Sequence, residues 1–399
     1  MLNANQRPVH LLYLMQFWGD PKRSWASGRS YDFAHHWAKI PDVTVDVITS
    51  DAYDLTSAPK IERIGNLTVH RLHQPYKNIM SWLGRVFSFF LFWLKAFKKA
   101  LELSRTDVIY ASATPYTIPV LGILLSKLFR CRCVIELRDL WPDYPIEVMQ
   151  LNGITVKLLR EIEHWLYKNA DHIVVLSPQC KEVIQKRTLT PVSVFPNGTT
   201  DYEKNITDSE KREKKKQIIY AGALGWANGT DKLLDFFTEI LAQTDLDIII
   251  FGEGTERYKL EKMTDKLPES QCGRVSLNNY LPRNEVVKHC SESLFSVCSF
   301  TDIETLKSNS PNKLFDSIAV GTPVIVLADG YSAELLKKYN FGLIGTDYVQ
   351  LSKEIRNLDP DKQQYIKLKR SCNHASRIFS RSMMAEAIFN TIILSILHD

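Results

Sequence analysis

Cysteine is scarce and unpatterned in this chain of 399 residues: there are seven, an odd number, and none forms a Cys-x-x-Cys pair. Such usage excludes a disulfide frame and a cysteine-based zinc site, and reads as the reduced thiols of an intracellular protein. Histidines with ligand spacing are lacking too, so no metal site is expected. No G-x-G-x-x-G is present, which argues against a standard dinucleotide fingerprint. The start, MLNANQRPVHLLYLM, lacks a basic start followed by a long apolar core, so no signal peptide is expected. Neither sign of charge dominates: 50 Lys and Arg against 45 Asp and Glu leave a net +5. That mild excess permits an anionic substrate or a membrane surface and does not argue for nucleic acid.

What is present is ordinary globular composition, 45% hydrophobic and 24% charged, on a chain long enough for two domains. Short apolar runs alternate with helical segments. The first half carries VHLLYLM (9–15), VTVDVIT (43–49), LTVHRLH (67–73), DVIYAS (107–112), CVIEL (133–137), HIVVLS (172–177) and VSVF (192–195). Residues 197–216 are polar and charged and read as a linker. Alternation resumes with QIIYAG (217–222), LDIIIFGEG (246–254), RVSLNNYL (274–281), LFSVCSF (294–300) and VIVLADG (324–330). This predicts an α/β chain with two doubly wound, Rossmann-like domains, 1–196 and 217–371, and a ligand in the cleft outside the carboxyl ends of the strands. Residues from Cys372 to Leu397 read as a further helix.

The loops after these strands are where chemistry is expected. In SPNKLFDSIAVGTPVIV (310–326), Ser310 suits an N-cap, Pro311 the first helical position, and Lys313 and Asp316 share one face. A helix N-terminus with a nearby lysine attracts phosphate, and an aspartate one turn deeper can accept ribose hydroxyls; a solvated charged face is the plainer alternative. YAGALGWANGTDK, with Gly222 and Lys232, allows close backbone approach to a diphosphate, and FGEG, with Gly252 and Glu253, repeats that arrangement weakly. WGDPKRSWASGRS would place Gly28 and Arg29 at the cleft, unless it is a long surface loop. In CVIELRDLWPDYPIEV a buried strand runs into Arg138, Asp139, Trp141 and Asp143, a ligand-facing position in an open sheet or else a structural salt bridge. The stretch 79–101 is aromatic and basic, but its uncharged run from Val86 to Leu94 is far short of the roughly 20 residues needed to span a bilayer. Trp82, Phe87, Phe89, Phe90, Phe92 and Trp93 beside Arg85, Lys95, Lys98 and Lys99 suit either an interfacial helix or a core helix with snorkelling lysines.

Taken in order, WGDPKRSWASG, DVIYASATP, ELRDLWPD, VFPNGTTD, YAGALG, FGEG, NYLPRNEV and SPNKLFDSIAVGTPVIV resemble the retaining glycosyltransferases of family 4, which have the GT-B fold. RDLWP and SPNKLFD look most like the branch of bacterial aminosugar transferases that build capsule and O-antigen units on a lipid carrier. The resemblance implies a nucleotide-diphosphate sugar, a UDP-sugar first of all, as co-substrate with no cofactor. It implies Asp316 on the donor ribose where glutamate is usual, and Lys313 with the amides after Ser310 on the diphosphate. Gly28, Gly222, Lys232, Gly252, Glu253, Leu281 and Asn312 would complete the donor site. Arg138 and Asp139 stand where many members have His-Asp near the transferred sugar. A first glutamate expected eight residues before Asp316 is Ser308 here, and Glu304 is the nearby candidate to replace it. The resemblance further implies anomeric retention, an acceptor that is a glycan or a polyprenyl-diphosphate-linked sugar, a C-terminal segment (372–399) returning to the first domain, and a cytoplasmic enzyme peripheral to the inner face of the membrane through 79–101. Two rival readings are a nucleotide-sugar epimerase of the same fold and an inactive membrane-surface assembly protein.

Overall fold

The computed structural model describes residues 7–398 except 27, 56, 77–79, 104, 114, 201–213 and 359–362. Most of the expected linker, 201–213, therefore lies outside the described residues. The chain divides into two compact units, one running to Pro196 and taking in Arg381 onward, the other from Asn197 to Ser380.

In the first unit, described strands β1 (Val9–Phe17), β2 (Val43–Ser50), β3 (Ile61–Ile64), β4 (Leu67–Leu72), β5 (Val108–Ser112), β6 (Arg132–Leu137), β7 (His172–Val175) and β8 (Val192–Val194) form one sheet. Their order is β3-β4-β2-β1-β5-β6-β7-β8. Every pairing is parallel except β3 with β4. Interior strands such as VIYAS are buried along their whole length, as a sheet covered on both faces requires. β3 (IERI) is an exposed edge with no apolar alternation, which is why the pattern does not announce it.

Helices α1 (Arg29–Trp37), α2 (Trp82–Leu101), α3 (Thr117–Phe129), α4 (Asp143–Met149), α5 (Gly153–Asn169) and α6 (Pro178–Gln185) connect these strands. Ser81 caps α2 by accepting from the Gly84 N–H, and Ser177 caps α6 ahead of Pro178 in the same way. Phe92 and Ala96 of α2, Leu121 and Leu125 of α3, and Leu166 of α5 fill one core with the strands. Helix α1 instead packs on the C-terminal segment, where the Trp37 indole donates to the Ala385 carbonyl at 2.8 Å and Arg381 pairs with Asp32.

The second unit repeats the plan with β9 (Lys215–Ala221), β10 (Asp247–Phe251), β11 (Val275–Asn278), β12 (Ser293–Cys298), β13 (Val324–Val326) and β14 (Gly342–Ile344), all parallel, in the order β11-β10-β9-β12-β13-β14. Its helices are α7 (Thr230–Gln243), α8 (Arg257–Asp265), α9 (Arg283–Glu292), α10 (Glu304–Lys307), α11 (Asn312–Ala319), α12 (Tyr331–Tyr339), α13 (Tyr348–Asn357) and α14 (Gln363–Ile378). Helix α14 stays in this unit because Tyr365 and Cys372 are buried in its core and the Tyr365 hydroxyl donates to the Leu294 carbonyl. The segment that packs in the first unit thus starts at Arg381, in α15 (Arg381–Ile388), and not at Cys372.

Candidate functional site

Lys313 is the centre of the arrangement in the second unit. It lies in the first turn of α11, and its ammonium donates to the Tyr220 hydroxyl at 3.1 Å and the Asn228 side-chain carbonyl at 3.3 Å. The same ammonium lies 4.5 Å from the Tyr220 ring centroid and 5.5 Å from that of Phe300, so two aromatic faces hold the cation in place. Gly222 makes room for it, since a Cβ there would fall 3.1 Å from the Lys313 Nζ. The loops at the carboxyl ends of β9 and β12 therefore converge on one half-buried lysine in the first turn of α11.

The FGEG loop supports this arrangement by close packing of backbone. A Cβ on Gly252 would stand 2.1 Å from the Gly222 carbonyl oxygen, and one on Gly254 would stand 2.1 Å from that of Leu224. Only glycine permits those approaches, which are locked by Gly222 N–H donating to Phe251 O and Leu224 N–H donating to Glu253 O. Glu253 itself is exposed, and Leu281 packs on the small cluster of Ile219, Phe251, Val287, Cys290 and Val320.

Several expectations need correction. Ser310 is not the N-cap of α11. Its hydroxyl accepts from the Asn197 N–H at 3.1 Å and its carbonyl accepts from the Asn197 side-chain amide, so α11 starts one residue later, with Pro311 at the cap and Asn312 first. Asp316 shares the half-buried face with Lys313, but its two oxygens are held by the Arg283 guanidinium, with Nε at 3.1 Å and Nη2 closer. Glu304 and Ser308, the residue at the place of the expected first glutamate, differ in setting: one short turn of helix turns the Glu304 side chain outward, 81% exposed, against Lys307, while Ser308 is buried and donates to the Thr305 carbonyl. Lys232 pairs with Asp302 at 2.6 Å and donates to the Leu327 carbonyl, so its partners differ from those of Lys313. Asp245 and Asp247, an Asp-x-Asp pair, lie at the amino end of β10 beside Lys216 and Arg274.

In the first unit, Arg29 is fully buried. Its guanidinium pairs with buried Glu136 at 2.9 Å, donates to the Pro196 carbonyl and stacks on the Phe33 ring; Gly28, also buried, caps α1. Tyr110 and Ser112 hydroxyls complete the shell of Glu136. Burial alone would raise the Glu136 carboxyl, yet Arg29 and Arg138 with these hydrogen bonds bring it below its ordinary value. Arg138 and Asp139 follow directly at the carboxyl end of β6. Solvent reaches Asp139, yet surrounding protein still pushes its carboxyl up, with Arg138 opposing. Asp143 of the same loop is structural: Arg160 and Arg187 both grip it at 2.7 Å, and the two arginines also bind Glu163. Glu136, Glu163 and Arg283 were not singled out from sequence, because each reads as one charge in a strand or helix until its distant partner is known.

Residues 28–198 match the family described as glycosyl transferase 4-like domain, and residues 201–376 match glycosyl transferases group 1. The chain belongs to the family 4 glycosyltransferases. It is 21% identical to a probable glycosyltransferase, WbjE, of Pseudomonas aeruginosa over 260 residues, and the match spans 62% of this chain and 63% of that relative. Its fold is similar to sucrose-phosphate synthase from Thermosynechococcus elongatus, with a TM-score of 0.72 at 16% identity over 97% of this chain and 100% of that one. It is also similar to HepE from Anabaena, solved in complex with UDP-glucose, with a TM-score of 0.64 at 14% identity over 96% and 99% of the two chains. These likenesses establish the GT-B fold, with two parallel-sheet Rossmann-like domains.

Proposed function

We propose that this glycosyltransferase moves a hexosyl or N-acetylaminosugar unit from a UDP-sugar to a glycan or polyprenyl-diphosphate-linked sugar during bacterial surface polysaccharide synthesis, at the cytoplasmic side of the membrane. The observation that carries the reading is the Lys313 ammonium, set by Tyr220 and Asn228 in the first turn of α11 beside the glycine that makes room for it. A leaving nucleoside diphosphate gathers negative charge on its β-phosphate, and a preorganised cation with helix amides stabilises that charge most as the bond breaks. In the retaining reaction the C1–O bond to the β-phosphate breaks, a C1–O bond to the acceptor forms on the same face, and the acceptor's proton passes to a phosphate oxygen of the released UDP. Solved relatives that hold UDP and UDP-glucose support a uridine donor.

Release of UDP is the direct assay. With UDP-glucose, UDP-N-acetylglucosamine and their epimers, release that needs a lipid-linked sugar acceptor supports transfer. Interconversion of the donor without acceptor would replace this reading with an epimerase.

A further inference from the structure

Helix α2 is apolar on two opposite faces, and only one of them is covered. Ser88, Phe92, Ala96 and Ala100, one turn apart, are buried against the sheet. On the far side Leu83, Phe87, Phe90, Leu94 and Leu101 recur at helical spacing, and they are 71%, 61%, 53%, 43% and 50% exposed. A helix that only covers a core turns polar residues to water, so a second apolar stripe needs a partner of its own. The neighbouring helix α3 adds Leu124 and Leu128, and α5, packed beside α3, adds Ile154 and Leu158, all exposed.

Charge selects among partners. Helices α2 and α3 contain no Asp or Glu, but they contain Arg85, Lys95, Lys98, Lys99 and Lys127. Lys95 and Lys99 are engaged by His73, Gln74 and Glu102, whereas Lys98 is exposed at the rim of the stripe; Lys127 is exposed with its ammonium 5.5 Å from the Trp165 ring centroid, and Arg130 at the end of α3 and Lys157 of α5 are exposed too. An apolar stripe on two helices without acids, bordered by cations that outnumber the exposed Glu161 of α5 and Glu102 at the end of α2, is complementary to an anionic lipid surface. Among the described residues no helix is long and apolar enough to cross a membrane, so contact would be along one face. The aromatic residues divide accordingly. Phe89 stacks on Tyr76 and Trp93 packs on the core, so Phe87 and Phe90 are the outward pair.

We propose that the outer face of α2, extended by α3 and α5, lies on the headgroup region of an anionic bilayer, with Phe87, Phe90 and Leu94 inserted and Lys98 and Lys127 against lipid phosphates. The surface is independent of Lys313, so it can fail while the donor reading stands.

Sedimentation of the full chain with phosphatidylglycerol and with phosphatidylcholine vesicles tests it. The expected result is binding to the anionic vesicles, weakened by salt, and reduced roughly tenfold or more in Phe87→Ser/Phe90→Ser and several-fold in Lys98→Glu/Lys127→Glu. Because these side chains are exposed, both variants should keep wild-type melting and UDP affinity. Equal binding to phosphatidylcholine, no binding to either vesicle, or undiminished binding by a folded Phe87→Ser/Phe90→Ser variant would overturn the proposal. So would a stable dimer that this variant dissolves, since the stripe would then belong to a second copy of the chain.

Discussion

The Arg283 guanidinium grips both carboxylate oxygens of Asp316, joining the first residue of α9 to the middle of α11 across 33 positions of sequence. With Arg283 only 4% exposed and Asp316 only 18%, the pair is desolvated and its geometry fixed. Removing one partner strands the other, so Asp316→Leu alone should cost about 3–5 kcal/mol, and Arg283→Met/Asp316→Leu together should recover most of that loss. Chemical denaturation of the four proteins of this cycle checks it, and additive single losses would contradict the coupling.

Arg29 and Glu136 form a second buried pair, 107 residues apart, with both side chains 0% exposed. Glu136→Gln keeps the shape but leaves a buried guanidinium without its counter-charge. A loss of about 3–5 kcal/mol is expected, against under about 1 kcal/mol for an exposed pair such as Lys216 with Asp245. Denaturation midpoints of Glu136→Gln and Asp245→Asn measure the contrast.

His172, whose ring bonds the Ser193 hydroxyl, is held neutral by burial, with Lys181 adding to the effect, and its pKa is lowered to about 4. The unfolded chain takes up a proton near the ordinary value of about 6.5, where the native chain does not. Stability from this group is therefore complete above pH about 6.5 and declines as acid is added towards pH 4. Asp143 acts in a lower window. Burial would raise its carboxyl, but Arg187 and Arg160 overcome this and hold it at about 2, so its contribution fades below the ordinary carboxylate value of about 3.9. Melting curves from pH 7 to 4 should slope less in His172→Gln than in the wild type, and an unchanged slope would rule out His172 as its source.

Gly222→Ala and Gly252→Ala separate two uses of glycine. A methyl on Gly222 meets the end of a flexible lysine side chain at 3.1 Å, so the fold should hold while UDP affinity falls several-fold. A methyl on Gly252 meets a backbone oxygen at 2.1 Å, so backbone must move, and stability should drop by about 2 kcal/mol or more. Thermal melts and UDP titrations on both variants resolve the two effects.

Much of the fold was legible because parallel strands covered on both faces appear as continuous apolar runs, and VIYAS, CVIEL and QIIYA all became strands. IERI was missed because an exposed edge strand carries no such signal. At the site, Lys313 could be read from local helix grammar, but its neighbours Tyr220, Asn228 and Phe300 come from β9 and from the loops after β9 and β12. Ser310 misled for a related reason: a serine ahead of a proline suits a cap, and nothing local says that Asn197 will claim its hydroxyl. Asp143 and Arg29 looked functional because they follow strands, whereas partners 44 and 107 residues away make them structural.

Calorimetric titration of UDP into the wild type and Lys313→Ala tests the donor site most directly. If Lys313 grips the diphosphate, the wild type binds UDP and the variant binds it at least tenfold more weakly with an unchanged melting temperature. Equal UDP affinity in the two folded proteins, or no binding by the wild type, would contradict it.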